Sequence, residues 1–254
     1  MSNVLDIDDA AFRWSGRDGF GLEVDHFTLA RREKLLLIGP SGSGKSTLLS
    51  LIAGIIAPQR GRIVVLGTDI ANLGASARDH FRAEHIGVIF QMFNLLPYGS
   101  VIDNVLLPLS FAPERRKRAG GAAGERAEAA RLLSRLALDH AHIESRSASR
   151  LSVGQQQRVA AARALIGRPD LVIADEPTSA LDRGRQIAFL DLLFAEIEAA
   201  DAGLVLVSHD ETLSHRFDRV CALDEIARTT AATDAPYPAP PADQSAPGQG
   251  DAPA

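Results

Sequence analysis

The chain has 254 residues, 46% of them hydrophobic and 23% charged, enough for one substantial core and a small satellite. With a formal net charge of −5, no broad basic surface advertises nucleic acid, which weakens a DNA- or RNA-binding reading and leaves a local patch open. No apolar run approaches the roughly 20 residues needed to cross a bilayer, and Met1 to Asp6 lack the regions of a secretory signal, so a cytoplasmic location is expected.

Val4 to Trp14 and Gly21 to Leu29 read as strands separated by turn residues. Lys34 to Ile38 is a continuous apolar strand that runs into a glycine-rich loop. Ser46 to Gly54 then carries apolar residues at helical spacing and ends at a glycine. Arg62 to Leu66 and Ile86 to Phe90 are further strands. From Val101 to Arg150 the pattern is helical, most clearly over Ala127 to Leu138. The basic run from Arg115 to Gly121 interrupts it and reads as a solvated helix end or loop rather than a nucleic-acid contact. The α/β alternation returns with helix Gln155 to Ile166, strand Leu171 to Ala174, helix Arg183 to Ala199 and strand Leu204 to Val207. Cys221, the one cysteine, sits in an apolar stretch and reads as a buried, inert thiol. Residues 1–228 are expected to form one domain. Thr229 to Ala254, rich in Ala and Pro, is too poor in apolar residues to offset its ordering entropy and reads as a disordered tail.

The loop Gly39-Pro40-Ser41-Gly42-Ser43-Gly44-Lys45-Ser46-Thr47 has the G-x-x-x-x-G-K-[ST] spacing between a strand and a helix, the setting of a phosphate-binding loop. Glycines turn backbone N–H groups toward phosphate oxygens, and the helix start adds its positive dipole end. Lys45 supplies a point charge for the β- and γ-phosphates, and the Ser46 hydroxyl suits Mg²⁺. Leu171 to Ala174 lead into Asp175 and Glu176. A buried strand ending in a carboxylate puts Asp175 beside the loop, where it can hold a Mg²⁺ water. Strand alternation sends Glu176 elsewhere, placed to deprotonate an attacking water. His209 follows the next strand; a structural role and a contact to the γ-phosphate are both open from the residues alone.

Together these residues resemble the nucleotide-binding subunit of ABC transporters, over roughly Val4 to Arg228. In that order the family's parts look like Trp14 (aromatic A-loop), Gly39 to Thr47 (Walker A), Gln91 (Q-loop), Leu151-Ser152-Val153-Gly154-Gln155 (signature), Leu171 to Glu176 (Walker B), Ser179 to Asp182 (D-loop) and His209 (H-loop). Val153 stands where a glycine is usual, and Trp14 where tyrosine is common, with Phe12 the alternative aromatic. The resemblance implies an α/β P-loop NTPase of ABC type, with a RecA-like core, an antiparallel β subdomain and a helical subdomain over about 92–155. It also implies ATP and Mg²⁺ as ligands, with catalysis by Glu176, His209 and Gln91, and Mg²⁺ held by Ser46, Gln91 and Asp175. A head-to-tail dimer, with a second copy or a paired ATPase subunit, would bring Ser152, Gly154 and Gln155 to the opposite γ-phosphate. Asp182 would cross that interface.

The segment from Phe90 to Pro97, followed by Asn104 to Pro108, looks like the macrolide-exporter and lipoprotein-release branch. It implies an integral membrane permease contacting Gln91 to Pro97, with Met92, Phe93, Leu95 and Leu96 lining the groove, and a peripheral place on the inner membrane face. Export or lipoprotein extraction is the expected work. Rival readings are a mechanotransmission or cell-division ATPase, and a DNA-repair or translation ATPase. The DNA-repair type needs a long coiled-coil insertion and the translation type a second cassette, neither of which the chain has.

Overall fold

A computed structural model describes residues 3–15, 19–139 and 143–230; the tail from residue 231 lies outside the described residues. An antiparallel sheet contains β1 (Asn3–Arg13), β2 (Gly21–Ala30), β4 (Arg60–Val65), β5 (Thr68–Asp69) and β10 (Ala227–Thr230), in the order β10-β2-β1-β4-β5. Thr229 and Thr230 pair with Leu22 and Gly21, so the sheet claims the first two residues assigned to the tail. A parallel sheet contains β3 (Lys34–Ile38), β6 (Ile86–Ile89), β7 (Leu171–Asp175), β8 (Gly203–Val207) and β9 (Arg219–Ala222), in the order β6-β7-β8-β3-β9.

The parallel strands are apolar throughout because both of their faces are covered. Leu35, Leu37, Ile173, Val205 and Val207 pack with α1 (Lys45–Ile52) and the antiparallel sheet. Their neighbours Leu36, Val172, Ala174, Leu204 and Leu206 face a second cluster on the opposite side. That cluster holds α3 (Val101–Leu106), α5 (Gly121–Arg135), α6 (Val153–Leu165) and α7 (Arg183–Ala200). Each fully buried Leu, Ile or Val there contributes roughly 1.5–3 kcal/mol of transfer free energy. Gly87 on β6 lets α6 approach closely, since a Cβ there would lie 2.3 Å from the Ala164 carbonyl oxygen.

Helix α2 (Ala75–His85) has no apolar stripe to announce it; Glu84 is its one buried residue. Side chains hold it instead, with Arg78 Nε donating to Gly54 O at 3.0 Å and Nη1 to Leu73 O at 2.9 Å. The basic run forms the end of α4 (Pro113–Arg118), where Arg116, Lys117 and Arg118 are exposed as a solvated helix end requires, and Arg115 is the exception. Arg115 is 1% exposed. Its guanidinium donates to Ile166 O, Ala164 O, Ala83 O and Ile86 O, while its backbone N–H donates to the Glu84 carboxylate. Burial, and then the nearby Arg118, lower its pKa to about 9. Arg116 pairs with Glu125 at 2.6 Å, and Arg118 donates to Gly167 O and Glu84 O. Arg115 and Arg118 stitch α4 to α2 and to the end of α6.

Candidate functional site

The carboxyl ends of β3, β6, β7 and β8 converge on a cavity of about 560 Å³, where the loops of an open parallel sheet meet. β3 ends at Ile38 and the glycine loop delivers the chain into α1. Gly42 and Gly44 have φ of +76° and +102°, values that residues with side chains rarely adopt. At Gly44 space is short as well: a Cβ would stand 2.8 Å from the Phe20 ring. Gly44 caps α1 without a side-chain hydrogen bond. Lys45 is buried, its Nζ donating at 2.7 Å each to Gly39 O and Pro40 O, both neutral partners. The Ser43 hydroxyl is buried and has no hydrogen-bond partner. An uncapped helix start, an orphaned hydroxyl and an ammonium bonded only to neutral oxygens all fit a bound phosphate.

Across the cavity, Ser46 Oγ donates to Asp175 Oδ2 at 2.8 Å, joining residues 129 positions apart. Burial pushes the Asp175 carboxyl above its ordinary value; the Ser46 bond pulls it down, and the Glu176 charge raises it again. Two adjoining oxygen donors, with Gln91 lining the same cavity, form a hard-donor set that fits Mg²⁺.

Glu176 corrects the alternation argument. β7 stops at Asp175, and Glu176 turns with φ +41°, so both carboxylates line one cavity. The Glu176 N–H donates to Val207 O at 3.1 Å. His209 Nδ1 lies 3.1 Å from Glu176 Oε2, which brings the two strand-end residues together. Trp14 is 47% exposed at the cavity mouth, with Nε1 3.4 Å from Thr47 Oγ1. Phe12 packs into the sheet core and meets Trp14 edge-on, with ring centroids 5.0 Å apart.

Trp14, Ser41, Gly42, Gly44, Lys45, Ser46, Thr47, Gln91, Asp175, Glu176 and His209 therefore share this cavity. Gly39, Pro40 and Ser43 complete the loop behind it. Phe20 also lines the cavity and went unread, although an aromatic just before β2 is a signal that could have been weighed. Ser152, Gly154, Gln155 and Asp182 do not line it. Ser152 caps α6 in a reciprocal box: the Gln155 N–H donates to Ser152 Oγ at 3.3 Å, and the Ser152 N–H to Gln155 Oε1 at 3.0 Å. Asp182 caps α7, accepting from the Arg185 N–H at 3.0 Å.

A separate groove of about 610 Å³ lies between the core and the helices. Met92, Phe93, Leu95 and Leu96, expected to line a permease groove, are not among its lining residues. Phe93 is buried in the core, Leu95 packs against the core, and Met92 is 80% exposed outside the groove. Ile55, Val88, Phe90, Leu107, Pro108 and Phe111 supply its apolar lining, and Asn94 belongs to it from the expected segment.

The sequence profile of the ABC transporter family matches residues 22–179. The ABC transporter ATP-binding protein YbbA of Escherichia coli (strain K12) is 40% identical over 189 residues, 74% of this chain and 79% of that protein. The lipoprotein-releasing system ATP-binding protein LolD of Pseudomonas fluorescens is 37% identical over 197 residues, 76% of this chain and 82% of its own. A dimeric, post-hydrolysis structure of the ATP-binding cassette MJ0796 bound to ADP and Pi superposes with a TM-score of 0.76 at 30% identity, covering 91% of this chain and 99% of that one.

Proposed function

The chain belongs to the ABC transporter family, and on that premise we propose that it drives a separate membrane permease as a head-to-tail dimer, by binding and hydrolysing ATP. It is an ATPase subunit of a transporter with homologues in the lipoprotein-release branch. Export, or extraction of a lipoprotein or lipid, is the work this branch suggests. The observation that carries the catalytic reading is the meeting of Asp175 and Glu176 with the phosphate loop in one cavity.

Trp14 stacks on the adenine. The loop amides and Lys45 receive the β- and γ-phosphates, Lys45 exchanging its carbonyl partners for phosphate oxygens. Ser46, Asp175 and Gln91 would hold Mg²⁺, which would neutralise charge on the phosphates. Glu176 orients a water for in-line attack and takes its proton as the new P–O bond forms and the bond to ADP breaks. His209 Nδ1 stands 3.1 Å from Glu176 Oε2, and a hydrogen bond there keeps the base aimed. Ser152 and Gly154, at the first turn of a helix outside this chain's own cavity, serve the site of the second copy. ATP closes the pair and hydrolysis reopens it, while the groove receives a cytoplasmic helix of the permease.

Glu176→Gln is the direct test. Its turnover is expected to fall by at least about a hundredfold. ATP binding should persist, and an ATP-dependent dimer should accumulate, as read by light scattering. Full turnover would remove Glu176 as the base. The same variant, tagged and purified from detergent-solubilised membranes with ATP, should bring a permease with it; recovery without any integral membrane protein counts against the transport reading.

A further inference from the structure

Arg163 stands in the last turn of α6 and is 8% exposed. Its guanidinium reaches out of its own helix, with Nη1 donating to Asn94 O at 2.7 Å and Nη2 to Phe93 O at 2.5 Å. Burial lowers its pKa, and among the described residues no carboxylate pairs with it. A buried cation is costly unless hydrogen bonds compensate it, so the two carbonyls matter to where it sits.

Those carbonyls belong to a strained stretch. Phe93 and Asn94 are consecutive and both left-handed, with φ of +59° and +48°. A bulky phenylalanine does not adopt that conformation unless its surroundings impose it. The turn is closed by Phe93 N–H to Phe90 O at 2.9 Å and by Asn94 N–H to Met92 O at 2.7 Å. Its members face three places: Gln91 lines the nucleotide cavity, Phe93 is buried in the core, and Asn94 lines the groove together with Arg163. A planar guanidinium reaches the two carbonyls from two nitrogens at fixed spacing, a geometry that one ammonium nitrogen does not reproduce.

We propose that Arg163 is a positioning residue for ATP turnover, its paired bonds to Phe93 and Asn94 holding the left-handed turn that presents Gln91 to the nucleotide cavity. The proposal rests on the reading that Gln91 meets the bound nucleotide. Arg163 is carried by α6, whose first turn holds Ser152 and Gly154. A shift of that helix therefore reaches the turn through two hydrogen bonds.

The test uses the full chain. In the wild type, amide exchange at Phe93 and Asn94 is expected at least about a hundredfold slower than in an open loop; exchange at the open-loop rate overturns the proposal without any variant. Arg163→Lys keeps the charge and loses the fork. Exchange at both amides should quicken and kcat should fall about tenfold, while nucleotide affinity stays within about twofold. Affinity is read from the fluorescence of Trp14, the one tryptophan in the chain. An unchanged kcat overturns the proposal whatever exchange does. So does a fall in kcat with unchanged exchange, or parallel loss of kcat and affinity, the mark of a general loss of fold. Arg163→Gln, with a neutral amide, is the second variant if the lysine form does not fold. Gln91→Ala separates the two layers. Wild-type turnover there refutes the assignment of Gln91, whereas an impaired Gln91→Ala beside a fully active Arg163→Lys refutes Arg163 alone.

Discussion

Asp175 is pulled in opposite directions by its surroundings. Burial and Glu176 raise its pKa, while Ser46 and Lys45 favour its charge. A carboxyl whose folded pKa lies above its unfolded value of 3.8 stabilises fully below 3.8, and that contribution is lost as pH rises through the folded pKa. Above its folded pKa the nucleotide-free protein therefore holds an ionised Asp175 at a cost. Asp175→Asn is expected to raise the thermal midpoint at neutral pH and to abolish Mg²⁺-dependent turnover. The gain should shrink as the pH is lowered toward 3.8. Calorimetry across that range checks it, and a neutral-pH midpoint at or below wild type would contradict the assigned burial cost. The position of Asp175 was legible from its apolar strand. The direction of Glu176 was not, because it depends on where β7 stops and on a backbone angle that no side-chain pattern encodes.

Helix α6 shows what one element must satisfy. Ser152 and Gln155 close its first turn, while Arg115 donates to the Ala164 and Ile166 carbonyls at its far end. Gly87 beneath it leaves no room for a methyl group. Gly87→Ala must push the helix off β6 or strain the strand. A loss of about 1–3 kcal/mol is expected, as for other overpacked cores. A denaturant midpoint unchanged from wild type would show that the helix gives way freely. The apolar strands and the longer amphipathic helices were readable because burial leaves a period in the sequence. Helix α2, held by arginine bonds to loop carbonyls, left none. Arg115 misled for a related reason: a run of like charges gives no hint that one member is swallowed whole.

At the scale of the molecule, the nucleotide cavity and the apolar groove are both edged by the chain that follows β6, with Gln91 on one and Phe90 and Asn94 on the other. Phe111, 65% exposed, is a large apolar side chain left open to solvent at that groove. Phe111→Glu is expected to lose capture of the permease while ATP binding by the isolated subunit is retained. Capture undiminished would move the docking surface elsewhere. The left-handed turn at Phe93 and Asn94 left no mark in the sequence, because no side-chain pattern encodes it.

The order of the parallel sheet bears on synthesis. β3, which leads into the phosphate loop, has only β8 and β9 as neighbours, and these begin at Gly203 and Arg219. A ribosome that has just released Thr47 has made the loop and β3 with neither sheet neighbour of β3 yet in existence. Pairing across so long a stretch waits for nearly the whole domain to emerge. A nascent chain or truncated product ending before β8 carries the loop's full sequence without a sheet to hold it in place. Capture on immobilised ATP would therefore sort finished molecules from fragments.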